Sequence, residues 1–205
     1  MVWLAGAAYD VVFDLSRGVV TALAGEALLA HEMVGWPYHR DLDLTGFMDG
    51  TENPTVVEAT AMALIPLGSP GEGGSILLLQ QWEHDAAAWD GLPVESQEAV
   101  IGRRKADSAE LDPQPPTSHV ARTDQEQFGK IFRRNIAYGS VAVHGTIFVG
   151  FSANQQILDG MLNSMVGRAD GPPDELTSFT RPLTGAYYVI PSAERLAVFG
   201  EDRRV

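Results

Sequence analysis

Apolar and polar positions in this chain follow two periods. Ser75-Ile76-Leu77-Leu78-Leu79-Gln80-Gln81-Trp82 is a nearly continuous apolar run of strand length, so it predicts a strand covered on both faces. Gly145–Phe151 and Thr184–Ile190 are further strand-sized runs, the second stopped by Pro191. Lys130–Ile136 reads as a strand that meets Gly145–Phe151 around a turn at Tyr138-Gly139. Tyr9–Phe13 reads as a short strand, followed by a helix capped by Asp14 or Ser16 with Val19, Leu23, Leu28 and Leu29 roughly along one face. Val34–Arg40 is one more short strand candidate. Helical spacing appears in Asn154–Val166, where Ile157, Met161, Leu162 and Met165 recur on one side, and in shorter segments at His84–Trp89 and Glu95–Arg103. Residues 106–118 hold Pro113, Pro115 and Pro116 and should be an irregular surface stretch leading into a site. From residue 75 onward the mixed order of elements predicts an α+β domain, with an antiparallel sheet and helices on one face.

Composition narrows the functional classes. A 205-residue chain that is 45% apolar and 20% charged can bury one good core, or two small lobes sharing one. The net charge of -13 argues against nucleic-acid or anionic-membrane partners, which need clustered Lys and Arg. No apolar run reaches membrane-spanning length. Met1–Ala8 has neither a basic region nor a long apolar core, so no secretion signal is expected and the protein is expected to be cytoplasmic. Cysteine is absent, which excludes disulfides, thiolate catalysis, iron–sulfur clusters and thiolate-ligated haem. Any metal or haem must rest on His, Met, Tyr or carboxylate.

Gly46-Phe47-Met48-Asp49-Gly50-Thr51-Glu52-Asn53-Pro54 is the most informative stretch. Its glycines permit positive φ, and Asn-Pro disfavours helix, so it is an ordered loop that can aim one carboxylate, Asp49, at a bound reactant. Alone, such a loop is more often a structural turn. Two other features follow in chain order. His119 comes after the proline-rich stretch, and Arg133-Arg134-Asn135 lies on a strand leading to Tyr138-Gly139. Strand alternation sends Arg133 and Arg134 to opposite faces, so only one of them can enter a shared pocket.

Together these residues resemble the dye-decolorizing peroxidases, in particular bacterial members of the type often paired with encapsulins. The resemblance rests on Gly46–Pro54, His84-Asp85, Ile101-Gly102-Arg103 to Glu110-Leu111, Ser118-His119-Val120, Arg133-Arg134-Asn135, and Thr184-Gly185 to Pro191-Ser192. It covers most of residues 9 to 196. It implies two ferredoxin-like halves of the dimeric α+β barrel type and a haem b cofactor. His119 would be the proximal ligand to iron, and Asp49, Arg133 and Asn135 would be distal residues contacting haem and peroxide. The implied activity reduces hydrogen peroxide and oxidises dyes or phenolic compounds by one-electron steps. The alternative is a haem-binding or iron-release protein of the same fold with little peroxidase activity, and a third reading is a remnant without haem.

Chemistry fits the resemblance. Asp49 can shuttle a proton, and at a carboxylate pKa of about 4 it would favour mildly acidic conditions. Arg133 stays cationic beside developing charge. Trp82, Trp89, Tyr138, Tyr187 and Tyr188 are candidates to relay electrons from a small aromatic reductant, although core packing is the commoner role for each. His84 should make a structural hydrogen bond, and His31, His39 and His144 should be surface or turn residues.

Departures from the family pattern set further expectations. The first half looks truncated, with residues 1–45 its remnant and residues 46–205 the haem-binding half. That would leave an uncovered apolar face, met by a homo-oligomer or by an incomplete form. Ser178 stands where relatives often have an acid; if that acid orients the proximal His, Asp159 or Asp174 would have to replace it. The chain ends at Val205 without an encapsulin-docking tail, so that partnership is not expected.

Overall fold

A computed structural model describes residues 1–201. The chain divides into two compact units, Met1–Val34 and Gly35–Val205. The first contains helix α1 (Tyr9–Ala22). The strand expected over Tyr9–Phe13 is therefore helix, because the helical period continues through it. Asp10, Asp14 and Arg17 recur at helical spacing, the Tyr9 and Phe13 rings lie 6.4 Å apart, and the Arg17 guanidinium sits 5.9 Å from the Phe13 ring. Ser16 Oγ donates to Val12 O instead of capping the helix, and Leu28 and Leu29 fall beyond its end.

The second unit runs β1 (Gly35–Trp36), α2 (Val56–Ala63), β2 (Ser75–His84), α3 (Ala86–Asp90), α4 (Val94–Ile101), α5 (His119–Arg122), α6 (Gln125–Phe128), β3 (Phe132–Arg133), β4 (Ile136–Gly139), β5 (His144–Ser152), α7 (Gln155–Met165), β6 (Thr180–Ile190) and α8 (Ala193–Glu201). Its six strands form one antiparallel sheet in the order β1-β4-β5-β2-β6, with β3 also paired to β5. The expected α+β architecture is what the chain adopts. Leu77 and Leu78, successive residues of β2, are both buried, as expected of a strand covered on both faces. The expected turn at Tyr138-Gly139 is displaced. β4 continues through Gly139, and the chain reverses at Ser140–Val143, closed by Ser140 N–H on Val143 O at 2.7 Å.

Two apolar clusters frame the site. Leu78 and Ile131 pack with Leu158 and Met161 of α7. That helix starts where the Asn154 side chain accepts from Gln156 N–H at 2.9 Å. Phe47, Trp89, Val100 and Ile101 form the other cluster, with the Trp89 ring edge-on to Phe47 and Phe179. Trp89 thus has a core role, and its Nε1 donates to Thr45 O at 3.1 Å. Among the described residues no helix is long and apolar enough to cross a membrane.

Candidate active site

Between the clusters lies a cavity of ≈ 1140 Å³ including its solvent-open part. His119, Asp49, Arg133 and Asn135 all line it, while Arg134 does not.

The polar wall grows from a sheet edge. β3 and β4 pair with β5 in one register, Arg133 opposite Gly150 and Ile136 opposite Ile147, and Arg134 N–H donates to Val149 O at 2.8 Å. Alternation turns the backbone groups of Arg133 and Asn135 to the opposite edge. There the Gly46–Pro54 loop pairs through side chains instead of backbone. Asn53 Oδ1 accepts from Arg133 N–H at 2.9 Å, and Asn53 Nδ2 donates to Arg133 O at 2.7 Å. Asp49 Oδ2 accepts from Asn135 N–H at 2.9 Å, and its Oδ1 accepts from Asn135 Nδ2 at 3.0 Å. Gly50 makes this possible: its φ is +70°, and a Cβ there would sit 2.5 Å from Asn53 Nδ2. Glu52 completes the loop by pairing with Arg103 at 2.6 Å, which also holds Glu110 at 2.7 Å.

Burial raises the Asp49 pKa, against the opposing pull of the Asn135 N–H and the Arg133 charge. The expectation of an ordinary carboxylate is thus replaced by a carboxyl that holds its proton to higher pH. Arg134 points away and pairs loosely with Asp41 at 3.4 Å.

His119 opens α5, whose N-cap Ser118 is fully buried and accepts from Ala121 N–H at 3.2 Å. Gly102, with φ +93° at the end of α4, packs where a Cβ would lie 2.7 Å from Ser118 Oγ. His119 Nδ1 lies 2.6 Å from Asp174 Oδ2, and Asp174 is almost completely buried. Asp174 is itself fixed: its Oδ1 accepts from Leu176 N–H, and its N–H donates to Met165 O, each at 2.9 Å. Of the two acids considered for this place, Asp174 takes it, while Asp159 accepts from Tyr187 Oη at 2.5 Å. Ser178 lies in a 3-10 turn, Glu175–Ser178, that follows directly from Asp174. With Nδ1 committed to a carboxylate, the ring offers the Nε2 lone pair.

His84 makes the expected structural bond, 3.1 Å from Nε2 to Thr146 Oγ1. His31 and His39 are exposed, and His144 Nδ1 lies 3.1 Å from Ser140 O beside the turn. Sequence reasoning missed Asn53, Glu52 and Arg103 as the residues that hold the wall. The Thr-Glu-Asn continuation of the loop was the signal for Glu52 and Asn53, and the Ile101-Gly102-Arg103 segment the signal for Arg103.

A family model described as Dyp-type peroxidase, C-terminal, matches residues 40–195. The dye-decolorizing peroxidase of Rhodococcus erythropolis is 36% identical over 197 residues, covering 91% of this chain and 58% of that protein. A solved dye-decolorizing protein from V. cholerae superposes with a TM-score of 0.85 at 38% identity, over 92% of this chain and 65% of that one. A Rhodococcus jostii DypB variant in complex with heme gives a TM-score of 0.86 at 38% identity, over 93% and 65%. The chain thus spans less than two thirds of the length of each relative. With the loop, His119 and the Arg133–Asn135 strand converging on one cavity inside the matched region, the chain belongs to the Dyp-type peroxidase family.

Proposed function

We propose that this chain binds haem b through His119 and acts as a peroxidase, reducing hydrogen peroxide and oxidising dyes or phenolic compounds by one-electron steps. Residues 46–205, with β1 paired into their sheet, are then the haem-binding half, and the residues before β1 belong to the other half of the two-half fold. One observation carries the reading. A carboxylate-backed histidine and an acid–arginine–asparagine group line the same cavity.

The residues present fit the group. His119 offers Nε2 with its other nitrogen tied to a buried carboxylate, the arrangement that orients a metal-binding imidazole. Arg133 Nε and Asn135 Oδ1 are buried polar atoms with no hydrogen-bond partner among the described residues, as suits a wall that meets a polar guest. Leu78, Phe148, Leu158, Met161 and Leu162 supply apolar surface for a flat, largely apolar ring. Bound haem supplies a peroxide-accepting iron and stores the oxidising equivalents.

The chain's own groups do the rest. Asp49, ionised, takes a proton from one peroxide oxygen at a carboxylate oxygen and returns it to the other. Asn135 holds both carboxylate oxygens, so the acid keeps its aim through the exchange. Arg133 keeps a fixed positive charge against the oxygen that leaves, with its backbone locked by Asn53. A simple haem carrier has no need of a proton shuttle beside a cation, which favours the peroxidase reading.

Hemin titration followed by absorption spectroscopy tests it. A Soret band is expected in the parent and not in His119→Ala. Arg133→Leu is expected to keep the band and lose most of its reaction with peroxide. Parent-like peroxide reactivity in Arg133→Leu would remove the assigned role.

A further inference from the structure

Among the described residues the second unit holds another cavity, of ≈ 580 Å³ including its solvent-open part, lined by Tyr38, Trp89 and Phe179 together with His84, Asp90 and His144. It shares Thr45, His84, Leu176 and Thr180 with the larger cavity, so the two adjoin across a layer that these residues form. Its lining is largely polar, with Tyr38 and Phe179 as partly exposed rings, which suits a small ring that carries a hydroxyl.

His84 stands in the shared layer, and its hydrogen bond fixes its tautomer. Thr146 Oγ1 donates its own proton to Asp43 Oδ2 at 2.7 Å. It can therefore only accept from His84, whose Nε2 is 3.1 Å away. The proton of the neutral ring is then on Nε2, and the lone pair is on Nδ1, which has no partner among the described residues. Burial holds the imidazole below its ordinary pKa, with the Asp43 carboxylate pulling the other way and His144 adding to the depression, so the ring rests neutral. Tyr38, Asp90 and His144 are the other titratable groups lining this cavity.

We propose that the second cavity binds a phenolic reductant and that His84 Nδ1 accepts the phenol's hydroxyl proton as the phenol is oxidised. This rests on the peroxidase reading above, which supplies the oxidant. The step balances. Haem bound through His119 would supply the oxidising equivalents taken from peroxide, and the phenol would give up one electron to them. The O–H bond breaks, an N–H bond forms on Nδ1, and a neutral phenoxyl radical leaves. The imidazolium returns its proton to solvent, and a second phenol delivers the second electron. Removing the proton in the same event avoids a strongly acidic phenol radical cation, which is why a base beside the hydroxyl matters.

Two variants test the site. Ala86 lines the second cavity and not the first, so Ala86→Phe fills it. His84→Gln keeps a donor for Thr146 and removes the base. Binding is read without turnover from fluorine NMR of 4-fluorophenol. Oxidation is read by stopped flow on haem-loaded, peroxide-treated protein, comparing guaiacol with ferrocyanide, which gives an electron and no proton. Saturable 4-fluorophenol binding is expected in the parent and lost in Ala86→Phe. The guaiacol rate relative to ferrocyanide is expected to fall about 100-fold in His84→Gln. No saturable binding in the parent, or an unchanged rate ratio in both variants, overturns the proposal. A parent that takes up hemin yet leaves peroxide unreacted overturns the peroxidase reading and the proton step with it, while the fluorophenol titration still decides whether the cavity takes a phenol.

Discussion

Asp49 is held by the residue two positions along the strand from Arg133, and its chemistry follows from that confinement. A carboxyl whose folded pKa is raised favours the fold while protonated and loses that contribution as pH climbs through the folded pKa. Asp49→Asn buries no charge, and it keeps both bonds to Asn135 if that amide flips. The variant is therefore expected to be more stable than the parent at neutral pH, by a margin that closes toward pH of about 4. Thermal unfolding of the haem-free proteins across that range measures it, and a variant less stable at neutral pH contradicts it. The same shift places the acid limb of the parent's peroxide reaction above the ordinary carboxylate range. On the other wall, Asp174→Asn loses its charge and can accept from only one of His119 Nδ1 and Leu176 N–H, lowering haem affinity or activity by about 10- to 100-fold. Parent-like haem binding and turnover would show that the acid is idle. Asp49, His119, Arg133 and Asn135 were legible because each sits in a distinctive local motif. Asp174 was legible only as one of two candidates, since 55 positions separate it from His119 and tertiary packing alone brings them together.

At the scale of elements, the site depends on a loop that behaves like a strand. Asn53 meets both backbone groups of Arg133, so Asn53→Ala leaves a partly buried N–H and C=O without their partner. The expected cost is about 1–3 kcal/mol, read by chemical denaturation. Gly50→Ala should cost about the same, because its φ of +70° and the 2.5 Å approach to Asn53 oppose any side chain. A cost near zero for both would mean that the loop is not what closes this edge. Strongly patterned elements, β2, β5 and α7, were readable from period alone. Tyr9–Phe13 was misread because a short Val-rich run suits either state, and contacts four residues apart decide for helix. The displaced β4 turn has a related cause: Tyr138-Gly139 looks like a turn locally, yet pairing with Gly145 and His144 extends the strand through it.

Across the whole molecule, the net charge of -13 acts on any charged reductant before contact. At low ionic strength a cationic dye should be oxidised faster than an anionic dye of similar potential. Added salt should slow the first and speed the second as the Debye length shrinks to about 8 Å near physiological ionic strength. Matching salt responses for both dyes would mean that the encounter surface is locally neutral. The charge was plain in the sequence. What composition could not give is how far apart in the chain the site's partners lie. The bonds that set the two walls join positions 80, 86 and 55 residues apart. Such contacts close late, after the entropy of large loops has been spent. Helices and local turns can therefore form in a refolding chain well before Asp49 or His119 is aimed. Cofactor capture in the native geometry then reports completion of the sheet, and the site doubles as a checkpoint on the chain's own folding.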